Sequence, residues 1–72
     1  MSGLAYRARK ALRVSQRRFA DLLDVHPGTV ARWESGDRLP TGPTRTLLRM
    51  IEAEPKVVLV LLAVRPQKPS IT

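Results

Sequence analysis

The run Ser15–Gly36, SQRRFADLLDVHPGTVARWESG, constrains this chain more than any other stretch. Phe19, Ala20, Leu22 and Leu23 share one face at helical spacing, which predicts a helix from about Gln16 to Leu23. Ser15 stands where an N-cap belongs, with a hydroxyl able to accept from the free amides of the first turn. A second helix begins at Pro27, whose fixed φ and missing N–H suit the first helical position. Val30 and Trp33 form its apolar stripe, and Gly36 supplies its stop. Only Asp24, Val25 and His26 lie between the two helices. A left-handed backbone is expected at Asp24, a conformation that Gly adopts most easily and Asp better than most residues.

So short a turn holds two helices at a steep crossing angle. That is the geometry of a helix-turn-helix, which offers its second helix to a DNA major groove. His26 is the only histidine. No ligand set surrounds it in sequence, so it reads as a residue at the start of the second helix, and when protonated it is a candidate phosphate contact.

On the N-terminal side, Leu4 to Leu12 predicts a first helix with Leu4, Ala8, Ala11 and Leu12 inward, Ala5 at the margin and Ser2 as a cap. Arg7, Arg9, Lys10 and Arg13 take much of its remaining surface. A charge run is usually a solvated face, yet cations crowded beside a helix-turn-helix are what phosphate contacts need. Arg9 lies at the edge of the apolar face, and Glu34 is the only acid between Asp24 and Asp37. A partly buried Arg9–Glu34 ion pair would fix the first helix against the third. Such a pair adds little net stability, but losing one partner strands the other.

On the C-terminal side, DRLPTGP (Asp37–Pro43) is a loop with Leu39 expected as its anchor into the core. Thr41 can cap a fourth helix starting near Pro43, with Leu47, Leu48 and Ile51 inward and Arg45 and Arg49 on an exposed face. Pro55 ends that helix, because the residue before a proline avoids the α region. Every residue from Val57 to Val64 is apolar. A small chain has little interior to hide such a run, so Val57, Val58, Val60, Leu61 and Val64 are expected to meet another subunit. Eight residues with four valines fit a strand paired across a two-fold axis or a short helix; Pro55 just before them favours the helix. The domain expected is 1–64, all-α, a compact bundle of about five short helices, with 65–72 a flexible tail.

The 72 residues allow one domain. Thirteen Lys and Arg against six Asp and Glu give a formal charge of +7, which favours nucleic acid, an anionic surface or an acidic protein as partner. No Cys is present, which fits a reducing cytoplasm and removes disulfide and thiolate metal chemistry. No metal or cofactor is expected. MSGLAYRARKAL lacks the apolar core of a secretory signal, and Val57–Val64 is too short to span a bilayer, so a cytoplasmic protein is expected. Without a Cys nucleophile, a Ser–His–acid set, paired carboxylates or a Gly-rich phosphate loop, an enzyme is not expected. Phe19 and Trp33 read as core, leaving little aromatic surface to stack RNA bases.

At SQRRFADLL, VHPGTVARWESG and LPTGPTRTLLRMIEAEP the chain resembles the lambda-repressor-like (Cro/C1, or XRE) helix-turn-helix family, above all its small antitoxin-type and autoregulatory repressors. The resemblance covers roughly residues 4 to 62. It implies a small all-α domain that binds operators as a homodimer. Gln16 corresponds to the family's phosphate-contacting glutamine, and Pro27, Gly28, Thr29, Ala31 and Arg32 to its base-reading face. Arg9 and Glu34 match its internal ion pair. Asp24 stands where a turn glycine is usual, and His26 where a Ser or Thr cap is usual. Pro27 and Gly28 leave the helix start without long polar side chains, so base recognition shifts to Arg32 and Thr29. A guanidinium can bond both O6 and N7 of guanine. Gly28 either lets the backbone approach DNA or is a neutral position. Arg17, Arg18, Lys10, Arg13, His26 and Arg38, with Arg45 and Arg49 on the fourth helix, are candidate phosphate contacts. The reading is a sequence-specific repressor of double-stranded DNA that autoregulates its own operon. The alternative is an antitoxin or other module that sequesters a partner protein through its C-terminal segment.

Overall fold

The computed structural model describes residues 3–64, so the expected tail from 65 lies outside the described residues; the N-cap position of α1 is taken by Gly3 and not, as expected from the sequence, by Ser2, since the helix starts at Leu4. Five helices follow one another with short connections: α1 Leu4–Leu12, α2 Gln16–Leu23, α3 Pro27–Ser35, α4 Gly42–Ala53 and α5 Pro55–Ala63. The all-α class and the helix-turn-helix boundaries are those read from the sequence.

Caps set most of these boundaries. Ser15 Oγ accepts from the Arg18 amide at 3.0 Å and starts α2. α2 stops at Asp24, which takes the left-handed conformation at φ 61°. Gly36, left-handed at φ 89°, stops α3. Arg13 is left-handed as well, at φ 60°, and its amide donates to the Arg9 and Lys10 carbonyls to close α1. No turn residue announces that stop in the sequence. Thr41 is the N-cap of α4, but its hydroxyl bonds the Thr44 hydroxyl at 3.2 Å instead of a backbone amide. At the far end, Glu54 closes α4 and opens α5, and Pro55 occupies the first turn of α5. The apolar run is therefore helical.

α1 packs on α4 and α3, α2 packs on α3, and α5 lies against α4, α1 and α2. Phe19, Val30, Leu48 and Ile51 are fully enclosed at the centre, ringed by Ala8, Ala20, Leu22 and Trp33. Three expectations about this core are corrected. α1 turns Ala5 inward and leaves Ala11 exposed: its buried stripe runs Ala5, Ala8, Leu12, with Leu4 partly buried beside it, so the helix is rotated toward Ala5 and away from Ala11. Leu39 is 77% exposed and anchors nothing. It stands on the wall of an open cleft that Val25 and Trp33 also line, and the Arg38 amide turns back onto the Arg32 carbonyl at 3.2 Å. Val58, expected at a subunit interface, is 5% exposed and belongs to the chain's own core.

Candidate nucleic-acid interface

The position of α3 depends on how firmly it is tied to the bundle. Val30 and Trp33 fix it from below. Beside them, Arg9 Nε donates to Glu34 Oε2 at 2.6 Å and Arg9 Nη2 donates to Glu34 Oε1 at 3.0 Å, a two-pronged pair linking α1 to the end of α3. The side chains are only 15% and 10% exposed. Arg9 Nη1 also donates to the Val14 carbonyl at 2.9 Å, so the same guanidinium braces the α1–α2 corner. Tyr6 lies under the cluster, its ring centroid 5.5 Å from the Arg9 guanidinium carbon and 5.8 Å from Lys10 Nζ.

Burial pushes the Glu34 carboxyl up, but the hydrogen bonds from Arg9 and Gln16 and the charges of Arg9 and Lys10 outweigh it and hold the group below its ordinary value. The hydrogen bond to Glu34 holds the Arg9 guanidinium above its ordinary value, against the opposing effect of burial. The pair is thus charged wherever the protein is folded near neutral pH.

The start of α3 is built by His26, Pro27 and Gly28 together. His26 Nδ1 accepts from the Gly28 amide at 2.9 Å, so the imidazole does the work usually given to a Ser or Thr oxygen. That bond needs an unprotonated Nδ1 and therefore places the ring proton on Nε2, which is a donor without an added charge. Pro27 has no amide to satisfy. The Thr29 amide donates to the His26 carbonyl at 2.9 Å. A Cβ built at Gly28 would lie 3.1 Å from His26 Nδ1, so a glycine here lets the imidazole sit close. His26 and Gly28 are one device, a relation that spacing alone did not reveal.

With Val30 and Trp33 inward, the step of roughly 100° per residue turns Gly28, Ala31 and Arg32 outward, with Pro27 beside Ala31. Arg32 is exposed and its guanidinium has no partner among the described residues. Thr29 lies on the other flank, above Trp33, and lines a shallow cleft with Val25, His26, Arg38 and Leu39. It stands to one side of the expected base-reading face, while Pro27, Gly28, Ala31 and Arg32 form a continuous strip.

Basic and polar groups lie on the elements next to this strip. Gln16, first in α2, donates from Nε2 to Glu34 Oε1 at 3.1 Å, which brings the start of α2 against the end of α3. Its amide carries a second N–H for another acceptor. Arg17 and Arg18 follow it, both exposed. Lys10 is near enough for its charge to act on Glu34, and Arg13 closes α1 two residues before the α2 cap. Arg38 stands at the opposite end, on the rim of the cleft. Arg45 and Arg49 belong to α4, which packs on α1 and α5.

No curated protein and no solved structure gives a significant match to the chain. A family profile described as helix-turn-helix matches residues 6–53, well over half of the chain and spanning α2, the turn and α3. The chain belongs to the lambda-repressor-like (XRE) helix-turn-helix family of DNA-binding transcription regulators.

Proposed function

We propose that this protein is a sequence-specific repressor that binds a palindromic operator as a homodimer and autoregulates its own operon. One observation carries the reading. α3 is pinned by a partly buried ion pair, its outward strip carries an exposed Arg32 with no partner among the described residues, and Gln16 and Lys10 stand on its other flank, at Glu34. A firmly held helix with an exposed guanidinium, and cations on the neighbouring helices, is equipped to read a guanine edge while those neighbours hold phosphates. The role carries no chemistry beyond binding, in keeping with a family that is generally non-enzymatic. Repression follows from occupying a promoter and excluding polymerase.

The dimer rests on α5. Val58 alone faces fully inward, and Val57, Val60, Leu61 and Val64 are each more than half exposed. Contiguous apolar surface of that kind marks a surface that another chain covers. A second copy related by a two-fold axis would cover like with like and set two α3 helices on one face of the duplex.

Hydroxyl-radical footprinting on the DNA upstream of the protein's own coding sequence tests the proposal. Two protected half-sites, related by two-fold symmetry and ~34 Å apart between centres, are expected. Protection of a single half-site, or uniform protection without preferred sequence, would overturn the dimeric operator reading.

A further inference from the structure

The first turn of α3 has no hydrogen-bond donor to offer DNA through its backbone. Pro27 has no N–H, the Gly28 amide is held by His26 Nδ1, and the Thr29 amide is held by the His26 carbonyl. The outward side chains of that turn are a pyrrolidine ring, a hydrogen atom and, one turn on, a methyl group: Pro27, Gly28 and Ala31. The strip beside Arg32 is therefore apolar and small. Most groups along the floor of a major groove are donors or acceptors, which such a surface leaves unpaired. The thymine 5-methyl is the exception, a hydrocarbon group that gains from apolar contact. At Gly28 the His26 imidazole, 3.1 Å from where a Cβ would stand, takes the space of a side chain, so Pro27 and Ala31 supply the apolar surface.

We propose that the Pro27–Gly28–Ala31 strip reads a thymine methyl, and that each operator half-site places that thymine beside the guanine bonded by Arg32. This rests on α3 being the base-reading helix. Ala31 Cβ is the principal contact and the Pro27 ring lies on its flank. Specificity then has two parts of different chemistry: a charged bidentate bond at one base pair and a methyl-sized contact at the next.

The experiment uses the full chain. Binding sites are first selected from random double-stranded DNA. In the selected site each thymine is then replaced singly by deoxyuridine, which deletes the 5-methyl and leaves base pairing intact. The expected result is one position per half-site where uracil weakens binding by about fourfold, the worth of one buried methyl. In Ala31→Gly that penalty shrinks toward unity, whatever the variant's overall affinity, because each ratio compares two DNAs on one protein. A selected sequence in which no uracil matters, or a penalty unchanged in Ala31→Gly, overturns the methyl contact and leaves sequence-specific binding standing. Failure to select any sequence overturns both.

Discussion

Replacing Glu34 by Gln tests how α3 is held. The change keeps shape and volume but removes the charge and sets an NH2 group against one of two guanidinium donors. Wild-type Glu34 accepts three hydrogen bonds: from Arg9 Nε at 2.6 Å, Arg9 Nη2 at 3.0 Å and Gln16 Nε2 at 3.1 Å. Both members of the ion pair are largely enclosed. Stranding one partner of a buried pair costs about 3–5 kcal/mol. The pair is partly buried and Arg9 keeps the Val14 carbonyl and the Tyr6 ring, which brings the loss below that range, to about 2 kcal/mol. For a domain of this size that lowers Tm by roughly 8–16 °C. Urea unfolding followed by Trp33 fluorescence, at fixed protein concentration, reads the change directly, since Trp33 is the only tryptophan and packs in the core beside Glu34. The double variant Arg9→Met/Glu34→Leu, with both charges gone, should recover most of the loss. A Glu34→Gln protein within ~0.5 kcal/mol of wild type, a typical surface effect, would refute the idea that this pair positions α3.

Other perturbations separate the remaining parts of the account. Because the folded state lowers the Glu34 pKa, its contribution to stability is complete above the ordinary carboxylate range and is lost as pH falls through the lowered value; urea midpoints should be flat near neutrality and fall below about pH 4, and Glu34→Gln should remove part of that fall. His26→Ala should cost about 1 kcal/mol in thermal unfolding and His26→Asn should restore most of it, because an amide oxygen can take the Gly28 N–H; equal losses in the two would remove the capping role. Arg32→Ala should cost ~1–3 kcal/mol on the selected site and much less on random DNA, and equal losses would make Arg32 a phosphate contact. Val60→Glu should give a folded or unfolded monomer by light scattering, while a stable dimer would remove α5 from the interface.

Much of the fold was legible because its signals are local. Ser15, Pro27 and Gly36 act within one turn of themselves, and Asp24 tolerates a left-handed backbone through its own side chain. The Arg9–Glu34 pair was legible for a different reason: an arginine at the edge of an apolar face needs an acid, and few were within reach. What stayed hidden depends on the assembled core. Ala5 and Ala11 differ only by a rotation of α1, which its packing on α4 decides. An apolar run gives no sign of which member turns inward, so Val58 could not be told from Val57 or Val60. Hydrophobicity alone makes Leu39 an anchor, but whether a loop side chain packs inward depends on the assembled core, and Leu39 is left on the wall of an open cleft beside Val25 and Trp33. Within the candidate site, Arg32 and the residues around it were named in advance, and the coupling of Gly28 to His26 was not, because it rests on a contact between a side-chain nitrogen and a missing Cβ.

Sequence-selective DNA binding through α3 is measured by titrating the full chain against DNA from upstream of its own coding sequence and against a scrambled duplex, at two salt concentrations. Tight binding to the first that survives moderate salt is expected, with a preference of ~10³-fold or more over the second. Equal binding to both duplexes, lost together as salt rises, would reduce the basic face to nonspecific attraction and contradict sequence-selective binding.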